Sequence, residues 1–187
     1  MAHLIKNHLV QIDSWQLLDG DCERLRRTGE DGLLPDFPDA ANLIVPLALW
    51  RLRREDLLER SGGTGVWLAS EEEPAALADD LPLLQVVAVH FPGFADGRGY
   101  STARLLRERY GYRGELRAIG DVLRDQLYYL SRCGFDAFAL RADQDPHDAL
   151  SAFDDFSDNY QATVGRPPLF QRRLEPVHAQ EKAKRAA

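Results

Sequence analysis

Apolar and polar residues alternate imperfectly over residues 3–18, where Leu4, Ile5, Leu9, Val10, Ile12 and Trp15 sit among polar neighbours. A period near two predicts a strand or hairpin. Residues 19–41 are rich in Asp, Gly and Pro with no sustained period, and read as a connecting arm. From residue 42 the pattern changes. Short apolar runs at 42–47, 66–69, 83–91, 115–119 and 135–140 alternate with stretches at helical spacing over 49–60, 74–80, 99–110, 121–133 and 147–160. Ser61-Gly62-Gly63-Thr64-Gly65 stops the first helix, and Pro74 suits the first turn of the second. Leu83–Phe91 is the strongest strand signal in the chain.

Near-continuous apolar strands joined by helical crossovers are the mark of a parallel sheet. The fold class is therefore α/β: a mostly parallel sheet of about five strands with flanking helices, plus an N-terminal strand or hairpin arm. An open three-layer sheet is the first arrangement this suggests. An incomplete barrel is the second, because strand order cannot be read from the pattern. Residues 1–161 form one domain, with an arm over 1–41 and the repeating core over 42–161. Periodicity is lost over 162–187, a C-terminal extension expected to be partly disordered and to end in a charged tail.

Composition narrows the function classes. At 187 residues, 44% hydrophobic and 28% charged, the chain is long enough to bury a real core. A formal charge of −7 argues against non-specific nucleic-acid binding, which needs a basic surface. No run of about 18 apolar residues predicts a membrane span, and no secretory leader pattern opens the chain. Only Cys22 and Cys133 are present, without a CxxC, so a four-cysteine cluster or zinc knuckle is excluded and a reducing cytoplasm is expected.

Ligands of parallel α/β sheets bind outside the carboxyl ends of the strands. Three polar loops fall at such ends. The first runs from Phe91 to Ser101, where Gly97 and Gly99 permit close backbone approach and Arg98, Ser101 and Arg104 supply a cation, a hydroxyl and a second cation at a helix start. It is neither GxxxxGK[ST] nor GxGxxG. The structural alternative is that Asp96 or Ser101 caps the helix and Arg104 pairs with Glu108 at i,i+4. The second loop is Gly120–Gln126, with Asp121 placed to cap and Arg124 set against the positive helix end, where helix energetics do not favour it. A bound anion or a carboxylate such as Asp125, Asp121 or Asp96 would explain it. The third is Arg141–Pro146, in which Asp145 before Pro146 marks a helix start and Arg141 stands at a strand mouth.

Convergence of Arg98, Arg124 and Arg141 would make a small oxyanion site, since guanidinium forks match such anions. The aspartates show no spacing that singles out Mg²⁺ ligands, so no metal is expected. His90, near the end of its strand, is a candidate proton donor, although a hydrogen-bonded structural histidine is the commoner case. Asp96 and Asp121 are the other catalytic candidates. No nucleophile elbow is present, no cofactor is evident, and Tyr128 and Tyr129 read as helix packing.

These residues also carry a resemblance. Phe91-Pro92, Asp96-Gly97-Arg98-Gly99-Tyr100-Ser101, residues 103–111, residues 114–126, Cys133-Gly134-Phe135-Asp136-Ala137-Phe138 and Asp154-Asp155-Phe156-Ser157 resemble a bacterial family of unassigned biochemical activity. Its members are commonly described as oxidoreductases involved in sulfite reduction. Weaker similarity reaches back through Gly65-Val66-Trp67-Leu68 to Pro46-Leu47, so the resemblance covers roughly residues 42–161. It implies a cytoplasmic setting in sulfate assimilation, with sulfite reductase or another sulfur-assimilation enzyme as partner. Its Asp-Phe-Pro pattern is broken here, where His90 replaces the acid. The description implies redox chemistry, yet no cysteine pair, cluster motif or nucleotide fingerprint is visible, so electrons would come from a partner or an unrecognised cofactor. Two expectations follow: an accessory protein or oxidoreductase that binds a small oxyanion or docks with the reductase, or a non-catalytic interaction module that supports it.

Overall fold

The computed structural model describes residues 3–19, 37–38, 40–156, 162–165, 168 and 171. Most of the connecting arm, most of the C-terminal extension and the last residues of the helix expected to 160 lie outside the described residues. Among the described residues, eight strands form one sheet: β1 (His3–Lys6), β2 (Leu9–Ile12), β3 (Gln16–Leu17), β4 (Asn42–Pro46), β5 (Gly63–Leu68), β6 (Val86–Phe91), β7 (Glu115–Gly120) and β8 (Ala137–Phe138). The five expected parallel strands are β4 to β8. β3 extends them in parallel, while β1 and β2 make an antiparallel hairpin that joins at β8.

The strand order is β2-β1-β8-β7-β6-β5-β4-β3. From β3 to β8 it follows the chain, so right-handed crossovers all place their helices on one face. That topology makes a curled half-barrel, the second of the two expected arrangements, and not an open three-layer sheet. Chain reach requires the curl as well. Ile12 and Gln16 belong to opposite edge strands, yet four residues span at most about 14 Å. Seven strand spacings laid flat would cover about 34 Å. The edges must therefore approach one another.

The alternation of side chains along each strand feeds two apolar clusters. Val87, Val89 and Phe91 enter the main core beneath the helices, whereas Val86 and Ala88 join Ile44 and Ile119 on the inner face, covered by Trp15 and Trp67. Each large side chain buried this way stabilises the fold by roughly 1.5–3 kcal/mol. Among the described residues, four α-helices flank the sheet: α1 (Leu47–Glu59), α2 (Arg98–Arg104), α3 (Leu127–Cys133) and α4 (Pro146–Ala149). Shorter turns replace parts of the expected helices. Residues 74–83 form two 3₁₀ turns, α2 continues into a π-helical turn at Leu105–Arg109, and a 3₁₀ turn at Arg124–Gln126 precedes α3.

Charge is also buried inside the curl. Arg117 Nη1 donates to Asp13 at 2.8 Å and its Nε to Glu115 at 2.7 Å, and Lys6 meets Glu115 at 2.7 Å. The Arg117 side chain is 2% exposed. This chain of charges fastens the segment that crosses between the sheet edges to β7.

Candidate functional site

The loops after β5, β6, β7 and β8 meet at the carboxyl ends of the strands. Asp121 is their junction. Its position is fixed by Gly120, whose φ of +93° lets the chain turn sharply as it leaves β7. The Asp121 N–H donates to Phe91 O at 2.8 Å. One carboxylate oxygen accepts from the Phe94 N–H at 2.8 Å, and the other accepts from Arg141 Nη1 at 2.7 Å. Asp121 therefore links three loops and is not the helix cap expected of it; α3 begins only at Leu127.

Arg141 is also gripped by Asp143, with Nε and Nη2 donating at 2.6 and 2.8 Å. Arg98 is held in the same way. Its Nε and Nη2 donate to Asp96 at 3.0 and 2.6 Å, and Nη2 reaches Ser70 Oγ at 2.7 Å, tying in the loop after β5. Asp96 also accepts the Arg98 N–H at 3.1 Å, from one residue ahead of Gly97, which holds the cap position of α2 in place of Asp96 or Ser101. Asp145 caps α4 through the His147 N–H at 2.8 Å.

The remaining candidates separate from this group. Arg124 turns toward Asp155 and Ser151, donating at 3.0 and 3.2 Å. Arg104 lies on the outer face of α2, 3.3 Å from Glu108, which is the i,i+4 pair anticipated as the structural alternative. Ser101 is exposed on the same face. Gly99 is buried, and a Cβ there would lie 2.6 Å from the Phe91 ring, so its lack of a side chain serves packing. His90 is half-buried at the inner-face end of β6, its ring centroid 5.7 Å from that of Trp67. Hydrogen bonds thus join Asp121 to Arg141 and, separately, Asp96 to Arg98; His90 lies beside Gly120, and Gly99, Ser101, Arg104 and Arg124 make their contacts elsewhere.

Electrostatics set what this surface can do. The Arg98 side chain holds the Asp96 carboxyl well below the usual carboxylate range, and Arg141 pulls Asp143 down to about 2. Those guanidiniums are already matched to carboxylates. Residues 69–73, 92–98, 121–126 and 139–145 hold eight acids (Glu71, Glu72, Glu73, Asp96, Asp121, Asp125, Asp143, Asp145) against three bases (Arg98, Arg124, Arg141). The rim is acidic by five charges, most of the chain's −7. Phe94 stands on it, 57% exposed, with its own N–H pinned by Asp121.

Asp96 and Asp143 have depressed folded-state pKa values, so their contribution is complete above about pH 3.9 and declines as pH falls toward 2. Hydrogen exchange at the Arg98 amide is expected to stay slow from neutral pH to about pH 4 and to lose protection below it. Protection already lost between pH 7 and 5 would show that these pairs do not hold the loop.

Surface cavities of about 350 and 460 Å³ lie away from the junction, one beneath the hairpin turn at Asn7 and His8 and one beside Tyr112. Among the described residues, no group of three or more His, Cys, Asp or Glu side chains is arranged to hold a metal ion. No helix among them is long and apolar enough to cross a membrane. Sequence reasoning missed Ser70, Phe94 and the buried Arg107 and Arg117. Of these, only Arg117 left a usable signal, an opposite charge two residues away on one face of a buried strand.

A family model for bacterial proteins of unknown function matches residues 65–170, which takes in every loop of the rim. No curated protein matches the chain, and no solved structure matches it.

Proposed function

The chain belongs to that family, DUF934, and from this premise we propose that it is a non-catalytic accessory protein of sulfite reduction. It docks with sulfite reductase, or another sulfur-assimilation enzyme, through the loops after β5 to β8. The sulfur setting comes from the resemblance at residues 91–126; the mode of action comes from the loops themselves. The observation that carries the reading is that Arg98 and Arg141 are both engaged by carboxylates while Phe94, its backbone N–H held by Asp121, is exposed on an acidic rim.

An oxyanion entering between Arg98 and Arg141 would have to displace Asp96 and Asp143 and work against the surrounding negative charge. A protein partner meets the opposite situation. A basic face would be attracted to the rim, and a pocket for one immobilised aromatic ring is the usual form of an interface hot spot. Pinning the Phe94 backbone lowers the entropy lost when its loop is ordered on association.

Immobilised chain is expected to retain sulfite reductase at low salt and to release it as ionic strength rises. Phe94→Ala should weaken retention by roughly thirtyfold, the effect of a hot-spot truncation near 2 kcal/mol. Calorimetry with sulfite, sulfate and phosphate at millimolar concentration should show no saturable heat. Saturable heat that disappears in Arg98→Ala would replace docking with a small-anion site. Undiminished retention by Phe94→Ala would remove the rim from the interaction.

A further inference from the structure

Two of the residues that the rim does not use, Ser101 and Arg104, come together elsewhere. With Leu105, Glu108 and Arg109 they line a groove of about 420 Å³ on the outer face of α2. A backbone irregularity runs through three of the same residues. The Tyr110 N–H donates to Leu105 O at 3.0 Å, five residues back, so the helix widens into a π turn over Leu105–Arg109. Such turns are rare in helices and recur at functional positions. At the base of the groove Leu105 is 39% exposed, an apolar side chain on the solvent face of its own helix. Its charged walls are Arg104 and Arg109 against Glu108, a net positive charge of one in a chain whose overall charge is −7. Arg104 is 51% exposed and meets Glu108 only at 3.3 Å, a loose surface pair that a better carboxylate can replace at little cost.

We propose that this π-turn groove is a second docking site, separate from the acidic rim, and that it takes a short acidic segment of a partner protein. An apolar side chain of the segment would rest on Leu105 while its flanking carboxylates meet Arg104 and Arg109. Charge selects this occupant: a basic segment would face the Arg104 and Arg109 guanidiniums, and a neutral one would leave Arg109 without a carboxylate. The site needs no change at the rim, so loss of either one leaves the other testable.

The test is fluorescence anisotropy on the full chain with three labelled nine-residue peptide pools. All have Leu, Ile, Met or Phe at the centre, flanked by Asp and Glu, by Lys and Arg, or by Ser and Gln. The acidic pool is expected to bind with Kd on the order of tens of micromolar, and the basic pool not to saturate. Arg109→Glu and Leu105→Asp each alter an exposed side chain, and each should weaken the acidic pool at least about tenfold with melting unchanged. Arg104→Ala supplies a third variant, with a smaller loss. The proposal is overturned if the acidic pool fails to saturate at millimolar chain, if the basic pool binds equally, or if the variants bind as wild type. Full displacement by millimolar inorganic phosphate would also overturn it, since that would make the groove an anion site without use for Leu105.

Discussion

Arg107→Ala is expected to lower the unfolding free energy by about 2–3 kcal/mol, the cost of removing a charged donor from a half-buried hydrogen-bonded network. Arg107 sits at the end of the helix that runs from α2, with its side chain 9% exposed. Its Nε donates to Gly134 O at 2.9 Å, and its Nη1 to Tyr112 O at 2.9 Å and Gly114 O at 2.8 Å. Its Nη2 donates to Asp136 at 2.8 Å. One side chain thus ties that helix end to the approaches of β7 and β8. Alanine would leave three carbonyls and a carboxylate short of a donor in a site where water does not readily replace it. Against a total stability of about 5–15 kcal/mol, the loss would populate unfolded chain readily. Lysine keeps the charge but not the planar fork, and should restore less than half of it. Burial already pushes the Asp136 carboxyl up despite the nearby arginine, so Asp136→Asn should cost less than Arg107→Ala. Urea unfolding of the three variants decides the matter; a loss under about 1 kcal/mol for alanine would sink the clamp.

Gly120→Ala should cost about 2–5 kcal/mol, and it should damage the rim as well as the fold. Two penalties combine. A left-handed conformation costs a residue with a side chain roughly 1–2 kcal/mol, and forcing atoms into filled space adds about 1–3 kcal/mol. The added Cβ would overlap Phe91 O and lie 2.9 Å from the His90 ring. Phe91 O is also the acceptor for the Asp121 N–H, so relief of the overlap moves the residue that joins three loops. The expected signature is a lower melting temperature together with faster exchange at the Phe94 amide, which Asp121 holds. A variant with wild-type stability and unchanged exchange would show that the turn tolerates a side chain and that Asp121 is not positioned by it.

Much of this architecture was visible in the residue pattern because burial on both faces of a parallel strand leaves a plain apolar run, as in Val86–Phe91. The choice between a layered sheet and a curled one was not. It depends on strand order, and periodicity records which face a residue takes, not which strand lies beside it. The candidate site divides in the same way. Arg98 with Asp96, Arg141 with Asp143 and Arg104 with Glu108 are partners within four residues, close enough for local spacing to suggest them. Arg124 finds Asp155, 31 residues on, and no local rule reaches that far. Arg107 escaped notice because an arginine in a helical run normally faces water, and only the tertiary fold turns this one inward. The π turn left no mark in hydrophobic spacing, since one extra residue in a single turn is within the scatter of any helical pattern.

The placement of the hairpin has a consequence for biosynthesis. β4 to β8 can be added to the sheet one after another as the chain leaves the ribosome, each beside its predecessor. β1 is made before β4 to β8 yet can pair with β8 only after them, because Lys6 pairs with Ala137. Until that late closure the flank of β8 offers unsatisfied amides to any neighbouring nascent chain. The amino-terminal residues therefore act as a stopper, held in reserve through translation and fitted once the rest of the fold is complete.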